Sequence, residues 1–70
     1  MRRDPVSSTS ITSLGYNPAT ETLEVEFVTG RVYRYRGVEE EVFEDFRGAS
    51  SKGTFFNENI KDAYPFVRVK

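Results

Sequence analysis

The sequence predicts an α+β fold: a three-stranded antiparallel β-meander with two helices packed on one face, and room for a short fourth strand at the carboxyl end. Three observations carry this. Leu23-Glu24-Val25-Glu26-Phe27 alternates apolar and charged residues at the period of a half-buried strand. After a turn at Thr29-Gly30, Tyr33-Arg34-Tyr35-Arg36 alternates aromatic and cationic residues. Val38, Val42, Phe46 and Ala49 then recur at helical spacing, with Phe43 widening the stripe.

The hairpin register follows from which faces must combine. A two-residue Thr29-Gly30 loop sets Val28 opposite Arg31. Phe27 then shares its face with Val32, Arg34 and Arg36, which buries guanidinium groups. A Val28-Thr29-Gly30 loop, with Gly30 left-handed in a bulge, shifts the pairing by one residue. Val25 then faces Tyr33, Leu23 faces Tyr35 and Glu24 faces Arg34. A one-residue slip exchanges every face, so the apolar match selects the bulged form. Both tyrosines point toward the core, and Arg34 and Arg36 point to solvent opposite Glu24 and Glu26.

The first strand spans Ser10 to Tyr16. Ile11 is out of phase with Leu14 and Tyr16, which a bulge would reconcile. Asn17-Pro18 opens a turn. Met1 to Ser8 lack an apolar period and read as a frayed start. Gly37 ends the hairpin. Glu39, Glu40 and Glu41 fill the first turn of the first helix, where its dipole favours anions, and Arg47 lies near the other end with Gly48 as a terminator. Ser50-Ser51-Lys52-Gly53 is a loop. A second helix runs from about Thr54 to Ile60, with Phe55, Phe56 and Ile60 as core contacts. Pro65 turns Tyr64 toward extended geometry, and Phe66-Val67-Arg68-Val69 is β-prone.

Composition bounds the function. The 70 residues make a single domain, 1–70, with ten aromatic rings to fill its core. There is no Cys and no His. This removes disulfides, thiolate metal sites and the commonest general base near neutral pH. No spacing marks a catalytic set of Ser, Lys, Tyr or paired carboxylates, so the chain is not expected to be an enzyme, and no cofactor is expected. The net charge of −1 confines any anion binding to local patches. No apolar run can span a bilayer, and no apolar segment follows Arg2-Arg3 as a secretion signal would require. A cytoplasmic monomer without a membrane partner is the expectation.

The sequence resembles the KTSC domain family over about Val6 to Val69. The resemblance rests on Ser8, Ile11, Gly15-Tyr16, Leu23 to Phe27, Gly30 and Val32-Tyr33-Arg34-Tyr35. It continues through Val38, Val42-Phe43, Phe46, Ala49, Ser51-Lys52-Gly53, Phe56-Asn57, Ile60-Lys61 and Tyr64 to Val69. Glu39 stands where the family pattern has Pro, and both residues suit the start of a helix. The domain is also appended to the carboxyl end of some lysyl-tRNA synthetases, and this chain is more similar to its stand-alone bacterial form. That association implies RNA binding.

Several residue groups are candidates for a site. Tyr33-Arg34-Tyr35-Arg36 could stack unpaired bases on the rings while the guanidiniums contact phosphate; the structural reading is core rings and a solvated, Glu-paired arginine face. Ser51, Lys52 and Gly53 form a turn that could hold a phosphate or carboxylate; the structural reading, favoured here, is a linker in which Ser51 caps the second helix. Glu39, Glu40, Glu41, Glu44 and Asp45 form an acidic face that could take a cation or basic partner. Dipole pairing and solubility account for it more simply, and no metal is expected. Asn57, Asn59 and Lys61 could touch a ligand or close a short helix.

The leading expectation is an accessory module binding tRNA or single-stranded RNA. Arg34, Arg36, Lys52 and Lys61 carry it, with Arg31 and Arg68 adding charge and Tyr33 or Tyr35 adding ring contact. The alternative is a protein–protein interaction module. It would use the outer strand edge or the acidic helix and have no nucleic-acid role.

Overall fold

The computed structural model describes Met1–Lys70. Five antiparallel strands lie in the order in which the chain makes them: β1 (Arg3–Pro5), β2 (Ile11–Asn17), β3 (Thr22–Phe27), β4 (Val32–Arg36) and β5 (Phe66–Arg68). Between β4 and β5 come α1 (Glu40–Gly48) and α2 (Lys52–Phe55), and α2 runs on into a π-helical turn, Phe56–Ile60. The class is the expected α+β, but the sheet has five strands rather than three or four.

The central hairpin has the bulged register. Leu23 faces Tyr35, Glu24 faces Arg34 and Val25 faces Tyr33. Gly30 sits at φ +92°, and its N–H donates to the Phe27 carbonyl at 2.9 Å. That backbone conformation is strained for any residue with a Cβ, so the glycine fixes the loop and the loop fixes the register. The irregularity in β2 falls between Ile11 and Ser13. It brings Ile11 and Leu14 onto the core side together.

The core lies between one sheet face and the helices. It comprises Ile11, Leu14, Leu23, Val25, Tyr35, Val38, Phe46, Phe56 and Ile60. Phe46 of α1 stacks on Phe55 of α2 with ring centroids 5.3 Å apart. Phe56 meets Tyr35 edge-on at 5.6 Å and Phe27 at 5.2 Å. Adjacent Phe55 and Phe56 thus divide the work: one ties the helices together, the other ties them to the sheet. Tyr16 stacks on Phe43 at 4.8 Å and donates its hydroxyl proton to the Val38 carbonyl, closing the other end of α1 against β2.

Two boundaries differ from the sequence reading. The second helix begins at Lys52 rather than Thr54, because Ser51 Oγ accepts from the Thr54 N–H at 3.3 Å and so sets the first turn earlier. It also widens after Phe55: Lys61 N–H bonds the Phe56 carbonyl, and Asn59 Nδ2 takes the Phe55 carbonyl at 3.3 Å. The second bond is a side-chain competitor for the regular ladder.

The frayed start at residues 1–8 is also corrected. Arg3, Asp4 and Pro5 pair with Gly15, Leu14 and Ser13. Sequence periodicity is silent here because β1 adds nothing to the apolar core. Its anchors are the backbone ladder and Arg3, whose Nη1 donates to Glu24 Oε1 at 2.9 Å. Gly15 makes the approach possible: a Cβ there would lie 2.6 Å from the Arg2 carbonyl oxygen and 2.9 Å from Arg3 Cγ.

Candidate nucleic-acid interface

The strand alternation separates the sequence-predicted residues onto different surfaces. Arg34 and Arg36 project from the sheet face away from the helices, as expected. That face is less open than the alternation suggests. Glu24 is 4 % exposed, held by Arg3 at 2.9 Å and approached by Arg34 Nε at 3.8 Å. Glu26 accepts from Ser13 Oγ at 2.8 Å and lies 3.9 Å from Arg3. Val32 is 1 % exposed on the same face. This is a satisfied ionic layer, and its carboxylates cancel much of the field that Arg34 would offer a phosphate.

The tyrosines of β4 behave differently from each other. Tyr35 is 1 % exposed and belongs to the core. Tyr33 is half-buried and stands at the rim. Its ring stacks against Phe66 of β5 with centroids 5.5 Å apart and planes 24° from parallel, and meets Phe27 edge-on at 5.7 Å. Phe66 itself is exposed, as is Val28. Phe66 and Val28 are left uncovered at this end of the sheet, so the core continues through half-buried Phe27 and Tyr33 into an aromatic strip partly open to solvent.

Two cations flank the strip. Arg31 lines a shallow hollow of about 320 Å3 with Ser10, Phe27, Val28, Thr29 and Tyr33. Arg68 lies directly across from Tyr33 in the β4–β5 ladder, and its Nε donates to the Lys70 backbone oxygen at 3.1 Å. Neither forms an ion pair with an Asp or Glu side chain. Lys52 and Lys61 are elsewhere. Lys52 Nζ donates to the Ala49 carbonyl at 2.7 Å in the turn between α1 and α2, and Lys61 is exposed just past the π-helical turn. Tyr33, Arg31 and Arg68 are therefore brought together, while Arg34, Arg36, Lys52, Lys61 and Tyr35 are not part of that group. Sequence reasoning missed Phe27 and Phe66 as members; the β-prone Phe66 next to Pro65 was the available signal.

Burial pushes the Tyr35 phenol up to about 12, with Tyr33 and Asp62 adding to the shift. Burial also raises Tyr16, reinforced by Glu21, Glu40 and Glu39. For Tyr35 the native state holds the proton more tightly than the unfolded chain. Its contribution to stability is complete below the unfolded value near 10 and is lost as the pH rises from there through 12. The expected loss across that window is about 2–3 kcal/mol. Denaturant melts at stepped alkaline pH, with phenolate absorbance followed in parallel, measure it. Tyr35→Phe should flatten the slope.

The geometry defines a class: a small α+β module with a solvent-open aromatic strip between arginines, and no feature that points to catalysis. Comparison with known proteins gives the family. The KTSC domain family model matches residues 7–64, and the chain belongs to that family. It is 44 % identical over 61 residues to an uncharacterized protein of Stutzerimonas stutzeri, covering 87 % of this chain and 86 % of the relative. It is 43 % identical over 59 residues to a lysine–tRNA ligase of Nostoc punctiforme, covering 84 % of this chain but 10 % of that protein. The crystal structure of a KTSC domain protein from Yersinia pestis superposes with a TM-score of 0.93 at 40 % identity, covering 99 % of this chain and 97 % of that one. No helix of the chain is long and apolar enough to cross a membrane.

Proposed function

We propose that this protein is an RNA-binding module that stacks unpaired bases on Tyr33 and Phe66 and meets their phosphates with Arg31 and Arg68. The observation that carries this reading is the Tyr33–Phe66 stack with exposed Phe66, flanked by two arginines that pair with no Asp or Glu. Base–ring stacking is tolerant of sequence and contributes about 1–3 kcal/mol per base. The similarity to a tenth of a lysine–tRNA ligase supports RNA as the ligand. It also supports an accessory role, since the chain matches so small a part of that enzyme.

Amide-resolved NMR with a short oligouridylate at low salt tests the proposal. Shifts are expected at Arg31, Tyr33, Phe66 and Arg68. Two phosphate contacts would give a slope of about −1.4 in log affinity against log salt. Phe66→Ala removes an exposed ring and should weaken binding about fivefold or more with little effect on stability. An absence of shifts at low salt contradicts the proposal.

The protein-interaction reading draws on one observation: β5 is a free sheet edge that carries exposed Phe66 and Val67, with exposed Val69 just beyond it. Partners captured from cells that survive ribonuclease and are lost on Val67→Lys would favour it.

A further inference from the structure

A cleft of about 610 Å3 opens between the segment Ser7–Ser10 and the turn joining α1 to α2. Its lining is wholly polar. Hydroxyls come from Ser7–Ser10 on one wall and from Ser50, Ser51 and Thr54 on the other, and Lys52 is the one charged side chain. No carboxylate is present. The walls meet at Gly53, where a Cβ would lie 2.8 Å from Ser10 Oγ.

The hydrogen bonds already made leave protons to give at Ser8, Thr54 and Lys52. Ser8 Oγ accepts from the N–H groups of Ser10 and Ile11, each at 3.3 Å, and keeps its own proton to give. Thr54 Oγ1 accepts from Ser51 Oγ at 2.9 Å and likewise keeps its proton. Lys52 Nζ uses one of three protons on the Ala49 carbonyl. An ammonium among spare hydroxyl donors, with no anion to oppose it, suits a tetrahedral oxyanion. α2 is too short to add a dipole of its own.

Ser10 lines both this cleft and the hollow beside Phe27, Arg31 and Tyr33. The two therefore adjoin at Ser10. We propose that the cleft is a phosphate site, filled by a phosphate of the same RNA strand whose bases lie on the aromatic strip. The oxyanion chemistry rests on the cleft alone, and the source of the phosphate rests on the RNA reading above.

Amide-resolved NMR separates the two. Inorganic phosphate, titrated against chloride at matched ionic strength, should shift Ser10, Gly53 and Thr54. Oligouridylate should shift these together with Tyr33 and Phe66. Lys52→Gln should weaken phosphate binding about fivefold or more and leave the oligouridylate shifts at the strip in place. Phosphate that moves no cleft amide, or binds the Lys52→Gln protein equally well, overturns the proposal. Oligouridylate shifts confined to the strip also overturn it, while the RNA reading stands. Phosphate filling the cleft with no response anywhere to oligouridylate overturns the RNA source and the RNA reading together.

Discussion

Phe46→Ala is expected to cost about 3–5 kcal/mol, a large part of the stability of so small a domain. Phe46 is fully buried, with 0 % exposure. Its ring stacks on Phe55 at 5.3 Å and lies 6.4 Å from Phe56, so truncation opens a cavity where α1, α2 and the sheet converge. The π-helical turn at Phe56–Ile60 also depends on this packing, because its buried residues are Phe56 and Ile60. Urea melts followed by near-ultraviolet circular dichroism of the aromatic rings would measure the loss. Phe46→Leu, which keeps most of the volume, should lose clearly less. Equal losses for the two would mean that the ring's shape, not its volume, matters.

The second large effect is expected at Glu24. Removing its carboxylate by Glu24→Ala leaves Arg3 and Arg34 facing each other over a buried site. Breaking a buried pair costs about 3–5 kcal/mol, but here the arginine side chains are 29 % and 46 % exposed and water relieves part of it. About 2–3 kcal/mol is the expected loss. A double-mutant cycle with Arg3→Ala should recover part of it, because the second change removes a cation the first one orphaned. β1 should loosen in both single variants, which amide exchange at Arg3–Pro5 would register. An unchanged melting midpoint for Glu24→Ala would mean that the ionic layer on this face does not hold β1.

These residues also mark what the sequence makes legible. Strand alternation, the Gly30 loop and the i, i+4 stripe from Val38 to Phe46 are local patterns, and they give the hairpin register and α1 directly. Glu24 shows the limit of that logic. Parity puts it on the outer face, correctly, and parity alone then reads it as solvated. It is buried because Arg3, from a strand with no apolar period, crosses over Gly15 to reach it. That is a nonlocal contact with no local signature. The candidate site divides in the same way. Arg31, Tyr33 and Arg68 are found by residue type, but their grouping depends on β5 returning beside β4 across a connection that includes both helices. The same return brings Phe66 onto Tyr33. Arg34 looks the better ligand in the sequence because the Glu24 carboxylate opposing it is visible only as a neighbour in register, not as part of a packed layer, whereas Arg36 lies across from Thr22 and pairs with no carboxylate. Ser7 and Ser8 read as part of a frayed start, and Ser10 as the beginning of a strand, until the fold sets them against Lys52.

In the proposed function the ligand face is the aromatic strip between Arg31 and Arg68, and not the arginine face of β4. Two variants of equal net charge compare them directly: Arg31→Gln with Arg68→Gln, and Arg34→Gln with Arg36→Gln. Fluorescence anisotropy with a labelled oligouridylate at low salt reads both. The first pair should lose about tenfold or more in affinity, about 1.4 kcal/mol, and the second only the small change expected from altered net charge. Equal losses in both pairs, or a larger loss in the second, would contradict the account.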